Sequence, residues 1–209
     1  MNSKKALIIV DLQNDFVPGG ALAVKEGDKV VPIVNSLLTN DFDLKIATKD
    51  WHPANHGSFA ENHHKNAGEV IDLYGLQQIL WPAHCIQGTY GAEFVPGLEA
   101  AKFEKVFYKG IDKTIDSYST FFDNGKRKST GLHDYLQDRS IKELYFAGLA
   151  TDYCVKFSVL DAIDLGYTTY VIVDACRGVN LEKNDSQRAL NDMQAAGSHL
   201  IKSKDIMAI

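Results

Sequence analysis

The chain has only three cysteines, Cys85, Cys154 and Cys176, with no paired spacing, so a disulfide framework is excluded and a reducing compartment fits. It also lacks a long apolar run. The first one, Ala6 to Val10, is closed by Asp11 and is too short for a signal peptide or a membrane span, which makes the cytoplasm the expected location. There is no basic excess: 22 Lys and Arg stand against 27 Asp and Glu, a net charge of −5 that argues against nucleic acid as a partner. Internal repeats, low-complexity tracts and Pro- or Ser-rich linkers are missing as well. A length of 209 residues therefore reads as a single domain spanning 1–209, large enough for a real core.

What is present is an alternation of strand and helix patterns. Strands are expected at Ala6 to Val10, Leu44 to Thr48, Lys105 to Lys109, Lys142 to Ala147, Thr168 to Val173 and His199 to Ile201. Helices are expected over Asp28 to Thr39, Thr130 to Arg139, Val155 to Leu165 and Asn184 to Ala196. Such alternation predicts an α/β fold, a mostly parallel sheet with helices on both faces. One connection breaks the rhythm: about 50–102 shows only short helical segments, yet is rich in Trp, His, Pro and Gly. Long loops of that composition are functional more often than disordered.

In an open parallel sheet, ligands bind beyond the carboxyl ends of the strands. Each of the first four strands here ends on a chemically useful residue. The first ends at Asp11, within VDLQNDF, the second at Asp50, within KDWHP, and the third at Lys109. The fourth leads through Gly148-Leu149-Ala150-Thr151-Asp152-Tyr153 to Cys154. With Thr151 or Asp152 as N-cap, Cys154 falls in a first helical turn, where backbone N–H groups lower a thiol's pKa. A buried structural cysteine is the competing reading of that stretch. Asp11 can take and return a proton beside such a thiol, and Lys109 favours both anions. A solvated Asp11 turn and a surface Lys109 are the alternatives.

Asp50 and His52, one residue apart in extended chain, face the same side, and WPAHC supplies His84 as a third donor. Two imidazoles and a carboxylate suit zinc, iron or manganese with open positions. His56 is either a fourth ligand or a group that hydrogen-bonds to a bound water. His63 and His64 lie in a polar run and receive no role.

Taken together, VDLQNDF, GGALAV, KDWHPANHGSF, WPAHC, DSYSTFFDNG, GLATDYCVKFSVLDAIDLGY and DACRGVN resemble, in order, segments of the nicotinamidase branch of the isochorismatase-like cysteine hydrolases. The resemblance runs from about Ala6 to Leu200. It implies a three-layer α/β/α fold whose six strands run in the order 3-2-1-4-5-6. It implies Asp11, Lys109 and Cys154 as the catalytic triad, with one divalent metal on Asp50, His52 and His84. It further implies a cis peptide at Leu149-Ala150, with the Ala150 and Cys154 N–H groups as an oxyanion hole. Phe16 and Trp81 would be the aromatic walls of the substrate pocket, joined by Tyr118, while Cys85 and Cys176 are structural. The implied reaction is hydrolysis of nicotinamide to nicotinate and ammonia in NAD salvage, and the implied partner is that small molecule, with a homo-oligomer left open. A related amidase acting on another small aromatic amide, and a non-catalytic metal-containing binding protein of the same fold, are the alternatives.

Overall fold

The computed structural model describes residues 3–206. Six strands form one sheet: β1 (Lys4–Val10), β2 (Leu44–Asp50), β5 (Lys105–Lys109), β6 (Ile141–Leu149), β7 (Thr168–Arg177) and β8 (His199–Ile201). Their order is β5-β2-β1-β6-β7-β8 and every pairing is parallel. Counted among themselves, these strands run 3-2-1-4-5-6, the order the resemblance implied. The outer layers are built from α1 (Val31–Leu37), α2 (Leu132–Gln137), α3 (Lys156–Asp164) and α4 (Asp185–Ala195), with a last short helix α5 (Ser203–Ile206).

The apolar run of β1 is what a strand covered on both faces requires. Leu7 and Ile9 join one buried cluster, and Ala6, Ile8 and Val10 the other. All five are fully buried, so β1 is the spine of the molecule. Strand order reverses on either side of β1, so the site forms beyond the ends of β1 and its neighbours β2 and β6. Among the described residues, no helix is long and apolar enough to cross a membrane.

The structure adds one element the pattern did not show. Strands β3 (Val70–Leu73) and β4 (Leu76–Ile79) make an antiparallel hairpin inside the long 50–102 connection. Its inward position on β4 is the polar Gln78, 3 % exposed, while Val70 on β3 is 56 % exposed. An inverted alternation of this kind hides a strand from a hydrophobicity pattern. The first helix also starts later than expected. Gly27–Val30 is a 3-10 turn, and α1 proper begins at Val31 with Pro32 in its first turn.

Gly148, opposite Val10 in the β1–β6 register, carries the sheet close to the site. Its φ is +119°, and a Cβ there would sit 2.7 Å from the Val10 backbone nitrogen, closer than real Cβ atoms approach. Gly148→Ala is therefore expected to destabilise the protein by more than about 1 kcal/mol, because alanine can neither adopt that φ nor fit. Urea unfolding of the purified variant checks this, and an unchanged midpoint would contradict it.

Candidate active site

Asp11 ends β1 with φ +45°, a left-handed conformation that Asp tolerates better than most residues. Its carboxylate is fully buried. Oδ1 accepts the Thr48 hydroxyl hydrogen at 2.6 Å, and Oδ2 lies 2.8 Å from Lys109 Nζ. Lys109, from the end of β5, is the hub. Its ammonium also reaches Asp50 Oδ1 at 2.5 Å, the Ser117 carbonyl at 3.0 Å and Cys154 Sγ at 3.3 Å. The carboxylate oxygens of Asp11 and Asp50 and the sulfur of Cys154 lie within 4.8 Å of one another. Three strand ends and a helix start thus deliver four polar groups to one buried point.

The turn carrying Cys154 differs from expectation. Residues Thr151–Val155 form a π-helical turn that runs into α3, Ala150 precedes it, and no side chain caps it. Asp152 instead accepts the N–H groups of Val179 and Asn180, at 2.9 and 2.7 Å, which ties the loop after β7 to this turn. The lowered thiol pKa expected from a helix start is corrected by the structure. Burial pushes the Cys154 thiol well above its ordinary value, and the Lys109 ammonium only partly opposes this. Burial likewise raises the Asp11 carboxyl to about 6 against the pull of Lys109. A proton acceptor therefore stands beside a thiol that keeps its proton at rest.

Next to this point are Asp50, His52 and His84, whose donor atoms share one 4.8 Å cluster. His52 Nδ1 lies 2.8 Å from the Gly110 carbonyl, and His84 Nδ1 lies 2.8 Å from the Pro82 carbonyl. A carbonyl can only accept, so each Nδ1 carries a hydrogen, and in the neutral ring, the form that binds a metal, Nε2 is the lone-pair nitrogen and lies on the Asp50 side. Burial works against it, yet the Asp50 carboxylate raises the His52 ring above its ordinary value. The buried His52 Nε2 has no hydrogen-bond partner in the protein. Burial pushes His84 down to about 4, which keeps it neutral. Asp50 is held well below the usual carboxylate range: burial works against this, but Lys109 and His52 outweigh it. An anionic oxygen with two lone-pair nitrogens is a donor set that fits a divalent cation.

His56 is different. The Ser58 backbone N–H donates to its Nδ1 at 3.3 Å, with the Ser58 hydroxyl 2.7 Å from the same nitrogen. That places the hydrogen of the neutral ring on Nε2, so His56 presents a donor where His52 and His84 present lone pairs. His63 is bonded to the Gly57 carbonyl at 2.8 Å.

A small pocket opens onto these groups, lined by Phe16, Trp81, Tyr118, Ala150, Cys154 and His84 among others. The Phe16 ring sits 5.4 Å from His84, and Trp81 Nε1 donates to the Tyr118 hydroxyl at 3.1 Å. The Leu149-Ala150 peptide is cis. All nine expected site residues are thus brought to one place, with Tyr118 beside them. Cys85 and Cys176 are buried and unpaired, like Cys154.

Two contributors escaped the sequence reading. Gln13 is fully buried, and its side-chain amide holds Asp50 by both backbone groups: Nε2 donates to the Asp50 carbonyl and Oε1 accepts the Asp50 N–H, each at 2.8 Å. Its signal was there, a glutamine two residues past a buried strand end within VDLQNDF. Asp116, the first residue of DSYSTFFDNG, also lines the pocket at 3 % exposure.

The isochorismatase-domain profile matches residues 5–205. The nicotinamidase of Escherichia coli strain K12 is 51 % identical over 204 residues, covering 96 % of each chain. Among solved structures, a nicotinamidase/pyrazinamidase of Acinetobacter baumanii superposes with a TM-score of 0.94 at 43 % identity, covering 99 % of both chains. A Pyrococcus horikoshii pyrazinamidase in complex with zinc gives 0.77 at 36 % identity, covering 95 % of this chain and 99 % of its own.

Proposed function

We propose that this chain, which belongs to the isochorismatase family, hydrolyses nicotinamide to nicotinate and ammonia. The observation that carries the reading is the meeting of Asp11, Lys109 and Cys154 beside Asp50, His52 and His84 on one small aromatic pocket. As a nicotinamidase the enzyme feeds NAD salvage, acting as one catalytic unit over 1–209. Its three free thiols suit a reducing cytoplasm.

In this reading Phe16 and Trp81 hold the pyridine ring and present the carboxamide carbon to Cys154. Asp11 takes the thiol proton as sulfur attacks, and Lys109 stabilises the thiolate that develops. The backbone N–H groups of Ala150 and Cys154 receive the negative charge on the amide oxygen. Asp11 returns the proton to nitrogen as ammonia leaves, giving a thioester on Cys154. Asp11 then activates the water that cleaves it and frees nicotinate.

Asp50, His52 and His84 would hold one divalent cation, zinc by the donor set and by its presence in the Pyrococcus pyrazinamidase. Bound there, the ion supplies a Lewis acid for the pyridine nitrogen, an anchor remote from the reacting bond.

Benzamide has the carboxamide without that nitrogen. Its kcat/KM in an ammonia-release assay is expected to be at least about tenfold below that of nicotinamide, since remote binding energy orients the reacting bond. Chelation of the metal, or His84→Ala, should narrow that gap by slowing nicotinamide turnover far more than benzamide turnover. Equal use of the two amides by the metal-loaded enzyme would overturn the anchoring role.

A further inference from the structure

Asp116 belongs to neither the triad nor the ligand set, yet it is buried at 3 % exposure close to the His52 ring. A carboxylate oxygen of Asp116 and one ring nitrogen each of His52 and His56 lie within 4.8 Å of one another, and the two imidazole centroids are 4.3 Å apart with the rings tilted by 38°. Both carboxylate oxygens are aimed: Oδ1 accepts the Ser117 N–H at 2.8 Å, and Oδ2 accepts Gln78 Nε2 at 3.1 Å. Gln78 is the inward residue of β4, so the hairpin supplies one of the two N–H donors that orient this carboxylate. Among the described residues, Asp116 forms no ion pair with any Lys or Arg. A buried carboxylate without a counter-charge is costly, and the usual remedy is a cation.

The buried group contains the carboxylates of Asp11, Asp50 and Asp116 with a single Lys side chain, Lys109, which pairs with Asp11 and Asp50. Carboxylates thus outnumber the ammonium in this cluster, and a cation would offset the surplus. His52 Nε2 and His56 Nε2 are both buried without a hydrogen-bond partner.

We propose that Asp116 is the counter-anion of the cation site: a positioning residue, oriented by Gln78 and Ser117, that sets the site's affinity for a divalent ion without being one of its three ligands. This rests on the reading that Asp50, His52 and His84 hold the ion. It explains why a polar hairpin residue is buried, and why a carboxylate with no basic partner lines the pocket.

The test measures zinc affinity by chelator competition on metal-stripped protein, together with the melting temperature of the zinc-free form. Asp116→Asn is expected to weaken zinc binding by about 10- to 100-fold, the range found for groups that support metal ligands. Its zinc-free melting temperature should equal or exceed that of the wild type, because an unbalanced buried charge has been removed. Asp116→Ser, which is smaller, gives a second route to the same measurement should the amide fit poorly. Asp50→Asn should weaken zinc binding further than either. Zinc affinity within about twofold of wild type in both Asp116 variants, alongside a clear loss in Asp50→Asn, would overturn the proposal and leave the cation reading standing. A lowered zinc-free melting temperature with unchanged zinc affinity would mark Asp116 as a structural residue and overturn it too. Undiminished zinc binding in Asp50→Asn and His84→Ala would instead remove the cation reading, and the proposal with it.

Discussion

Cys154→Ala is expected to lower nicotinamide turnover by at least about 10³-fold, the scale on which loss of a catalytic nucleophile is felt, while leaving the fold and zinc affinity intact. All three cysteines are buried, but Cys154 alone of them lines the pocket, with Sγ 3.3 Å from Lys109 Nζ. Alanine removes one sulfur atom and none of the donors at Asp50, His52 or His84. A limiting amount of iodoacetamide should accordingly label Cys154 first, and activity should fall in step with the label. Burial holds the resting thiol in its protonated form, so labelling should quicken as pH rises. Near wild-type hydrolysis by metal-loaded Cys154→Ala, or full activity after stoichiometric modification of Cys154, would end the covalent mechanism.

Asp11→Asn should cost turnover at the upper end of the 10²–10⁴-fold that general acid–base catalysis is typically worth, or more, because one carboxylate serves both the acylation and the hydrolysis. The substitution keeps the volume and can keep the Thr48 hydrogen bond at 2.6 Å. It loses the proton acceptor and leaves Lys109 with one fewer anionic partner. The acceptor form of Asp11 is the deprotonated one, and burial raises its pKa to about 6. Wild-type kcat/KM should therefore rise with pH through about 6, and the residual activity of Asp11→Asn should lack that limb. A variant that keeps more than about a tenth of wild-type kcat would make another group the base, since that loss is well below the usual contribution.

The parts legible in the sequence share a cause. Ala6 to Val10 reads as a buried strand because a parallel strand covered on both faces must be apolar throughout. Chemistry placed just past such a run lies where an open sheet binds ligands, which is why Asp11, Asp50, Lys109 and the approach to Cys154 stood out. The reading failed where the inward residue was polar. Gln78 broke the alternation that would have announced β4, and Gln13 looked like part of a turn. Asp152 resembled a cap, and its carboxylate is used on a loop 27 residues away.

The residue types of the site and the alternation of its strands were thus determined by sequence alone, since local pattern controls which segments can be buried. The tertiary structure decided how those residues act. Lys109 meets Asp50 across 59 positions and Cys154 across 45, so no spacing within a segment encodes their ion pair or hydrogen bond. Burial is a property of the assembled core, and it is burial that keeps the Cys154 thiol protonated and Asp11 poised near neutrality. Which imidazole nitrogens offer lone pairs depends on carbonyls and amides supplied by other loops: Gly110 for His52, Pro82 for His84 and Ser58 for His56. Hydrogen bonds are directional and short-ranged, so that choice exists only once the chain has folded.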